Sequence, residues 1–219
     1  MYRNTPLNWF FSAGFLLAFL PQAAHSALII TEFMRNPSGS DALGEWFEVY
    51  NAGSTPVDLY QWSIADLGSN SHTIGSSVVV GPSSYALLGR NGDTATNGGL
   101  VFDYVYGNQF VLANGDDELL LFDDLGTEID RVVYDSSFPG GDGVSAMLVS
   151  LGLDNNDPAN WVAATTYYNA DNKGTPGAPN FSAAATVAEP PASALLLLGG
   201  VLALMGNWGR RAGSQSGLG

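Results

Sequence analysis

The residues able to carry chemistry are few in kind and uneven in number. Cysteine is absent, and histidine occurs only at His25 and His72. That removes disulfide frameworks, thiolate nucleophiles and imidazole-rich metal centres at once. A serine nucleophile would need His72 as its base, because His25 falls in a segment expected to be cut away. His72 lies in Gly68-Ser69-Asn70-Ser71-His72-Thr73, expected to be a polar loop, and no strand–turn–helix elbow is present to hold a serine. Acids are abundant instead, with 21 Asp+Glu against 7 Lys+Arg and a formal charge of −14. Abundance alone does not mark out a pair of glycosidase carboxylates. Glu45 and Glu48 invite attention, but three residues apart on a strand they point to opposite faces.

Hard oxygen ligands cluster at Asp116-Asp117, at Asp123-Asp124 and at Asp154-Asn155-Asn156-Asp157. Oxygen donors on turns suit Ca²⁺, which makes Asp116, Asp117, Asp154 and Asp157 the candidate calcium ligands. None of these runs has the spacing of an EF-hand loop. Asp and Asn also favour turns for backbone reasons, through their own hydrogen bonds and their tolerance of left-handed backbone. Aromatic faces offer a further possibility, the stacking of sugar rings, for which Tyr104, Tyr106, Trp161, Tyr167 and Tyr168 are candidates if exposed. Core packing accounts for such residues equally well. Phosphate backbones would be repelled by this charge, so nucleic acid is excluded as a partner. The acidity also serves solubility.

The elements that must position these residues are short and β-prone. Between Ala27 and Asn180, runs of apolar and alternating residues are separated by Gly, Asn, Asp, Ser and Pro. Strands are expected at 28–34, 46–51, 57–59, 62–66, 77–80, 84–88, 101–106, 118–122 and 127–134. The last two form a hairpin across Asp123-Asp124-Leu125-Gly126, with Gly126 expected to take a positive φ. No stretch sustains a helical period. The pattern predicts an all-β sandwich with Trp46, Trp62 and Phe122 in its core.

Over nearly all of this middle portion the chain resembles the lamin-tail domain, an immunoglobulin-like β-sandwich. The residues that carry the resemblance begin with Ile29-Ile30-Thr31-Glu32-Phe33-Met34 and Asn36-Pro37. The most specific is Glu45-Trp46-Phe47-Glu48-Val49-Tyr50-Asn51-Ala52-Gly53. Further matches are 57–66, 80–88, Leu112 to Leu121, Arg131-Val132-Val133-Tyr134-Asp135 and the closing Gly174-Thr175-Pro176-Gly177-Ala178-Pro179-Asn180. That closing segment is expected to be extended and architectural. The resemblance implies a structural or accessory module.

Both ends differ in composition from the middle. Arg3, the apolar run from Trp9 to Leu20, Pro21 and then Ala24-His25-Ser26 have the layout of a secretory signal, with cleavage by signal peptidase between Ser26 and Ala27. Near the other end, Glu189-Pro190-Pro191 precedes an apolar run from Ala194 to Gly206, then Trp208 and Arg210-Arg211. This order resembles the PEP-CTERM sorting signal of bacteria that make extracellular polysaccharide, although Ala188 stands where that motif has its first proline. The resemblance implies an exosortase-like sorting enzyme as partner, and the Arg pair would remain on the cytoplasmic side of the membrane.

The organisation expected is therefore a signal peptide over 1–26, a β-sandwich over 27–180 and a linker over 181–188. The sorting motif, a short transmembrane helix and a basic stop follow over 189–211, with a disordered tail over 212–219. The protein is read as exported to the cell envelope or beyond. It has no assigned catalytic or cofactor-binding residue and acts as a structural or adhesion module, with extracellular polysaccharide or surface proteins as its implied partners. The competing reading is a surface module that binds calcium or a glycan.

Overall fold

A computed structural model describes residues 28–180. The signal segment with Ser26 and Ala27, the linker and tail, and the motif residues Glu189, Pro190, Pro191, Arg210 and Arg211 lie outside the described residues. Twelve strands run in chain order: β1 (Leu28–Met34), β2 (Trp46–Asn51), β3 (Val57–Asp58), β4 (Ser63–Ala65), β5 (Ser71–Thr73), β6 (Val79–Val80), β7 (Tyr85–Gly89), β8 (Tyr104–Val105), β9 (Asp117–Phe122), β10 (Glu128–Tyr134), β11 (Ala146–Leu148) and β12 (Trp161–Ala163). One four-residue helix, α1 (Asp41–Gly44), joins β1 to β2. The domain is all-β, as the punctuated apolar runs require.

The strands form a six-stranded sheet in the order β12-β11-β1-β2-β7-β8, a four-stranded sheet β10-β9-β4-β5, and a small ribbon β3-β6. Between the two large sheets lies the main core, with Leu28, Ile30, Phe33, Phe47, Val49, Ile64, Leu119, Leu121, Val132 and Tyr134 buried together. The rings of Phe33 and Tyr134 stack at 4.9 Å, and Trp161 meets Phe33 edge-on at 5.2 Å. The 123–126 hairpin forms as expected, with φ of +77° at Gly126 and the Gly126 amide donating to the Asp123 carbonyl.

β1 is buried along its whole length. That burial on two faces explains its almost continuously apolar sequence. A bulge falls at Thr31, where the β1–β2 register passes from Ile30↔Val49 to Glu32↔Glu48. It reverses the inward parity of the strand, since each residue added to a pleat moves later side chains to the other face. Leu28 and Ile30 face the core before the bulge and Phe33 faces it afterwards. Glu32 and Met34 consequently turn outward, away from the sandwich interior.

The outward face of the six-stranded sheet has its own cover. Met34, Trp46 and Leu87 form a second buried cluster, against which Leu100, Phe102 and Tyr168 pack. Gly89 is needed beneath it, because a Cβ there would lie 2.2 Å from the Phe102 ring. Trp46, expected in the sandwich core, belongs to this outer cluster instead. Trp62 is only partly buried against the main core, and Phe122 is half-buried, next to the inward Leu121 and so on the opposite face of β9. Only Tyr104–Val105 of the expected 101–106 strand is regular. The strands β5, β11 and β12 were not expected; each spans three residues, too short for a period to declare itself.

β11 lies between β1 and β12, through Phe33↔Ala146 and Met147↔Val162. The segment after Tyr134 is thus an integral part of the sheet that begins with β1. Ending the chain at Ser136 should abolish the cooperative unfolding transition followed by circular dichroism. A sharp melt from the shortened chain would show that the two sheets stand without β11 and β12.

Candidate functional site

The glutamates of β1 and β2 make the most unusual arrangement in the domain. Glu32 and Glu48 are register partners, and both are fully buried. The Ser145 hydroxyl donates to Glu32 Oε1 at 2.5 Å, as does the Thr175 amide at 2.9 Å, and Thr175 Oγ1 donates to Oε2 at 2.6 Å. Glu48 Oε1 accepts from Thr31 Oγ1 at 2.7 Å and Oε2 from the Gly177 amide at 2.7 Å. The Ala178 amide adds a further bond to the same carboxylate.

The donors come largely from one segment. Residues 174–180 form a strap over the outward face, covering both carboxylates, and its last residue fastens to the sheet. Asn180 Nδ2 donates to the carbonyls of Thr31, at 2.8 Å, and Leu148, at 3.0 Å. The Thr31 carbonyl is open to it because the bulge interrupts the ladder there. Gly174 passes so close that a Cβ would meet Glu32 Oε1 at 2.8 Å and the Trp46 ring at 3.2 Å. The closing Gly-Thr-Pro-Gly segment, expected to be extended, instead turns at Pro176–Gly177, where Gly177 takes a φ of +76° and the Ala178 amide donates to the Thr175 carbonyl. Its role is that of a lid on charge.

Other acids are consumed in the same internal way. Glu45 faces the sandwich interior, opposite to Glu48 as the spacing requires, and holds Arg90 at 3.0 Å with a further bond from the Leu112 amide. Asp130 closes the seam between the sheets, taking the Ile30 amide at 2.6 Å and Asn155 Nδ2 at 2.8 Å. Burial is the main cause of the upward pKa shifts of these groups, which reach about 8 at Glu48, about 7 at Glu45 and about 6 at Asp130. Glu32 is raised for the same reason, and each glutamate of the pair resists ionisation of the other.

A model of the Lamin Tail Domain family matches residues 21–136. The chain belongs to the lamin tail domain family. Its members are structural immunoglobulin-like domains, and the sandwich described above is of that kind. No curated protein matches the chain. In this lamin tail domain the structure continues past the matched portion, since β11, β12 and the strap complete the sheet begun by β1.

The candidate calcium ligands are spread over separate turns. Asp116 is exposed, and Asp117 Oδ2 accepts from the Ala113 amide and the Tyr134 hydroxyl. Asp123, at the far end of β9, takes the Leu125 and Thr127 amides, and Asp124 is exposed. Asp154 and Asp157 take the amides of Asn156 and Ala159. Among the described residues no three acidic or imidazole side chains converge as a metal site would need. Asn155 is buried under Trp161, whose indole donates to its carbonyl.

Of the aromatic candidates, Tyr106 and Trp161 are in the core. The Tyr104 hydroxyl bonds to His72 and to the Gly75 amide. Tyr167 is exposed beside Lys173, and Tyr168 packs on Trp46. His72 is not in a loop. It sits in the edge strand β5, opposite Ile64, and bonds to Gln109 and Tyr104; flanking Ser71 and Thr73 gave that strand a loop-like composition. The pair Glu32–Glu48 escaped the sequence reading because the bulge at Thr31 hides the register that brings them together.

Stability should follow the buried acids. Below about pH 3.5 both folded and unfolded chains hold these protons, but as pH rises the unfolded chain releases them first. Stability therefore falls between about pH 4 and about pH 8, by on the order of 5 kcal/mol, and then levels off. Denaturant melts across that range should show the decline, and Glu48→Gln should flatten it; a wild-type curve that rises toward pH 8 would contradict the assignment. Separately, Gly174→Ala should cost about 2 kcal/mol by lifting the strap from Glu32. Hydrogen exchange at the Gly177 and Ala178 amides should then quicken, and unchanged protection would remove the strap's role as cover.

Proposed function

We propose that this lamin tail domain protein is a non-enzymatic structural module. In this reading it is exported by its N-terminal signal and sorted at the envelope by its C-terminal segment, then displayed there or in the surrounding polysaccharide matrix. The observation that carries the structural role is the internal use of its buried carboxylates. Glu32, Glu48, Glu45 and Asp130 all bind groups that close the fold. Membership of a structural immunoglobulin-like family supports the same role.

Export is supported by the apolar run ending at Pro21 and the small residues at Ala24 and Ser26. Sorting is supported by Glu189-Pro190-Pro191, the apolar run to Gly206 and the Arg210-Arg211 pair. The formal charge of −14 favours solubility outside the cell and disfavours nucleic-acid partners.

Mass spectrometry of the protein recovered from its native envelope tests this reading. The expected mature chain begins at Ala27 and lacks the segment from Ala194 to Arg211. Recovery of that segment intact would replace sorting with a plain anchor, and recovery of residues 1–26 would overturn export by a cleaved signal.

A further inference from the structure

Three loops meet at one end of the outer layer and leave a cleft of about 400 Å³ between them. They are residues 37–40 with the adjoining helix α1, residues 95–99 and residues 168–172. Asparagine side chains fix their spacing. Asn172 Oδ1 accepts from the Ser38 amide at 2.7 Å, and Asn169 Nδ2 donates to the Gly98 carbonyl at 3.1 Å. Asn97 Nδ2 bridges the carbonyls of Asn91 and Leu100, each at 2.9 Å. Asn97 and Asn172 are themselves buried, so the loops are braced from within and the cleft is held open in the free protein.

The groups facing that space define what it can accept. Ser38 Oγ, Ser40 Oγ and the Asp171 carboxylate line the cleft and make no hydrogen bond among the described residues. Tyr168 supplies an aromatic edge, fixed by its hydroxyl, which accepts from the Trp46 indole at 3.3 Å. No Lys or Arg lines the cleft, so an anion would find no countercharge in a chain that is already strongly acidic. One carboxylate falls short of the oxygen count a metal ion demands. An apolar ligand would leave the serines and Asp171 desolvated and unpaired. Hydroxyls that both donate and accept, a lone acceptor carboxylate and a ring beside them complement a hydroxyl-rich ligand without charge. The volume lies within the usual range for small-ligand sites, roughly 300–1,000 Å³.

We propose that this cleft binds a neutral saccharide, with Ser38, Ser40 and Asp171 taking its hydroxyls beside Tyr168. The inference goes beyond the structural role, which does not need the cleft to be filled. It also turns Tyr168 from a packing residue into one wall of a site, whereas Tyr106 and Trp161 stay in the core.

Isothermal titration of the full-length chain with maltose, cellobiose, lactose and dextran, and with polygalacturonate as an anionic counterpart, tests it. At least one neutral saccharide should bind. The triple variant Ser38→Ala, Ser40→Ala, Asp171→Ala should weaken that binding by at least about tenfold at an unchanged Tm, because these side chains hold nothing else in the domain. Absence of binding by all four neutral saccharides would overturn the proposal, as would wild-type affinity in the triple variant or binding of polygalacturonate alone. Any of those results leaves the processed ends of the mature chain, and hence the structural reading, untouched.

Discussion

Everything on the outward side of the six-stranded sheet depends on how Glu32 and Glu48 are kept from water. Two carboxylates placed opposite each other on adjacent strands repel if both are charged, and each is costly to bury without partners. The fold meets the second cost with hydroxyl and amide donors from Thr31, Ser145, Thr175, Gly177 and Ala178. Three of those donors, Thr175, Gly177 and Ala178, can reach the pair only if the chain returns across the sheet after β12. The strap, the placement of β11 beside β1 and the small outer cluster around Trp46 all follow from that return.

The acids of this domain consequently divide into two populations with different work. Most are at the surface, where Asp58, Asp123, Asp154 and Asp157 tie down turns through nearby amides. The buried ones join elements distant in sequence. Asp130 reaches Ile30, and Glu32 reaches Thr175. An acidic composition suggests solvation, yet here part of it supplies the polar joints of the interior. Aromatic packing between the sheets, centred on Phe33 and Tyr134, completes what those joints align.

Much of the sandwich could be read from residue types alone. The run from Glu45 to Gly53 alternates as a half-buried strand does, although in the structure both of its faces are covered. Glu45, Phe47 and Val49 point one way and Trp46 and Glu48 the other, and Asn51 closes the turn by bonding Thr55, Val80 and Gly53. The face on which Trp46 would be buried was not legible, because nothing local announces that the outward side has a cover of its own. The bulge at Thr31 was equally hidden, since a parity change depends on a partner strand rather than on neighbouring residues. The short strands β5, β11 and β12 owe their conformation to their neighbours in the sheet, which is information held elsewhere in the chain. The three-loop cleft has the same origin. Its asparagines look like ordinary loop residues until the fold brings Asn97, Asn169 and Asn172 to one place.

The attachment of Asn180 to the carbonyl of Thr31 joins the last described residue to the first described strand. It sets an order in time. β1 can pair with β2 early, but its other flank and its outward face stay open until β11 and the strap arrive from the far end of the domain. Contacts of such long sequence separation form slowly, because the intervening loop must close before they give any return. On a chain emerging N-terminus first the domain therefore stays incomplete until residue 180 is out, and residues 174–180 act as the closing step of its folding.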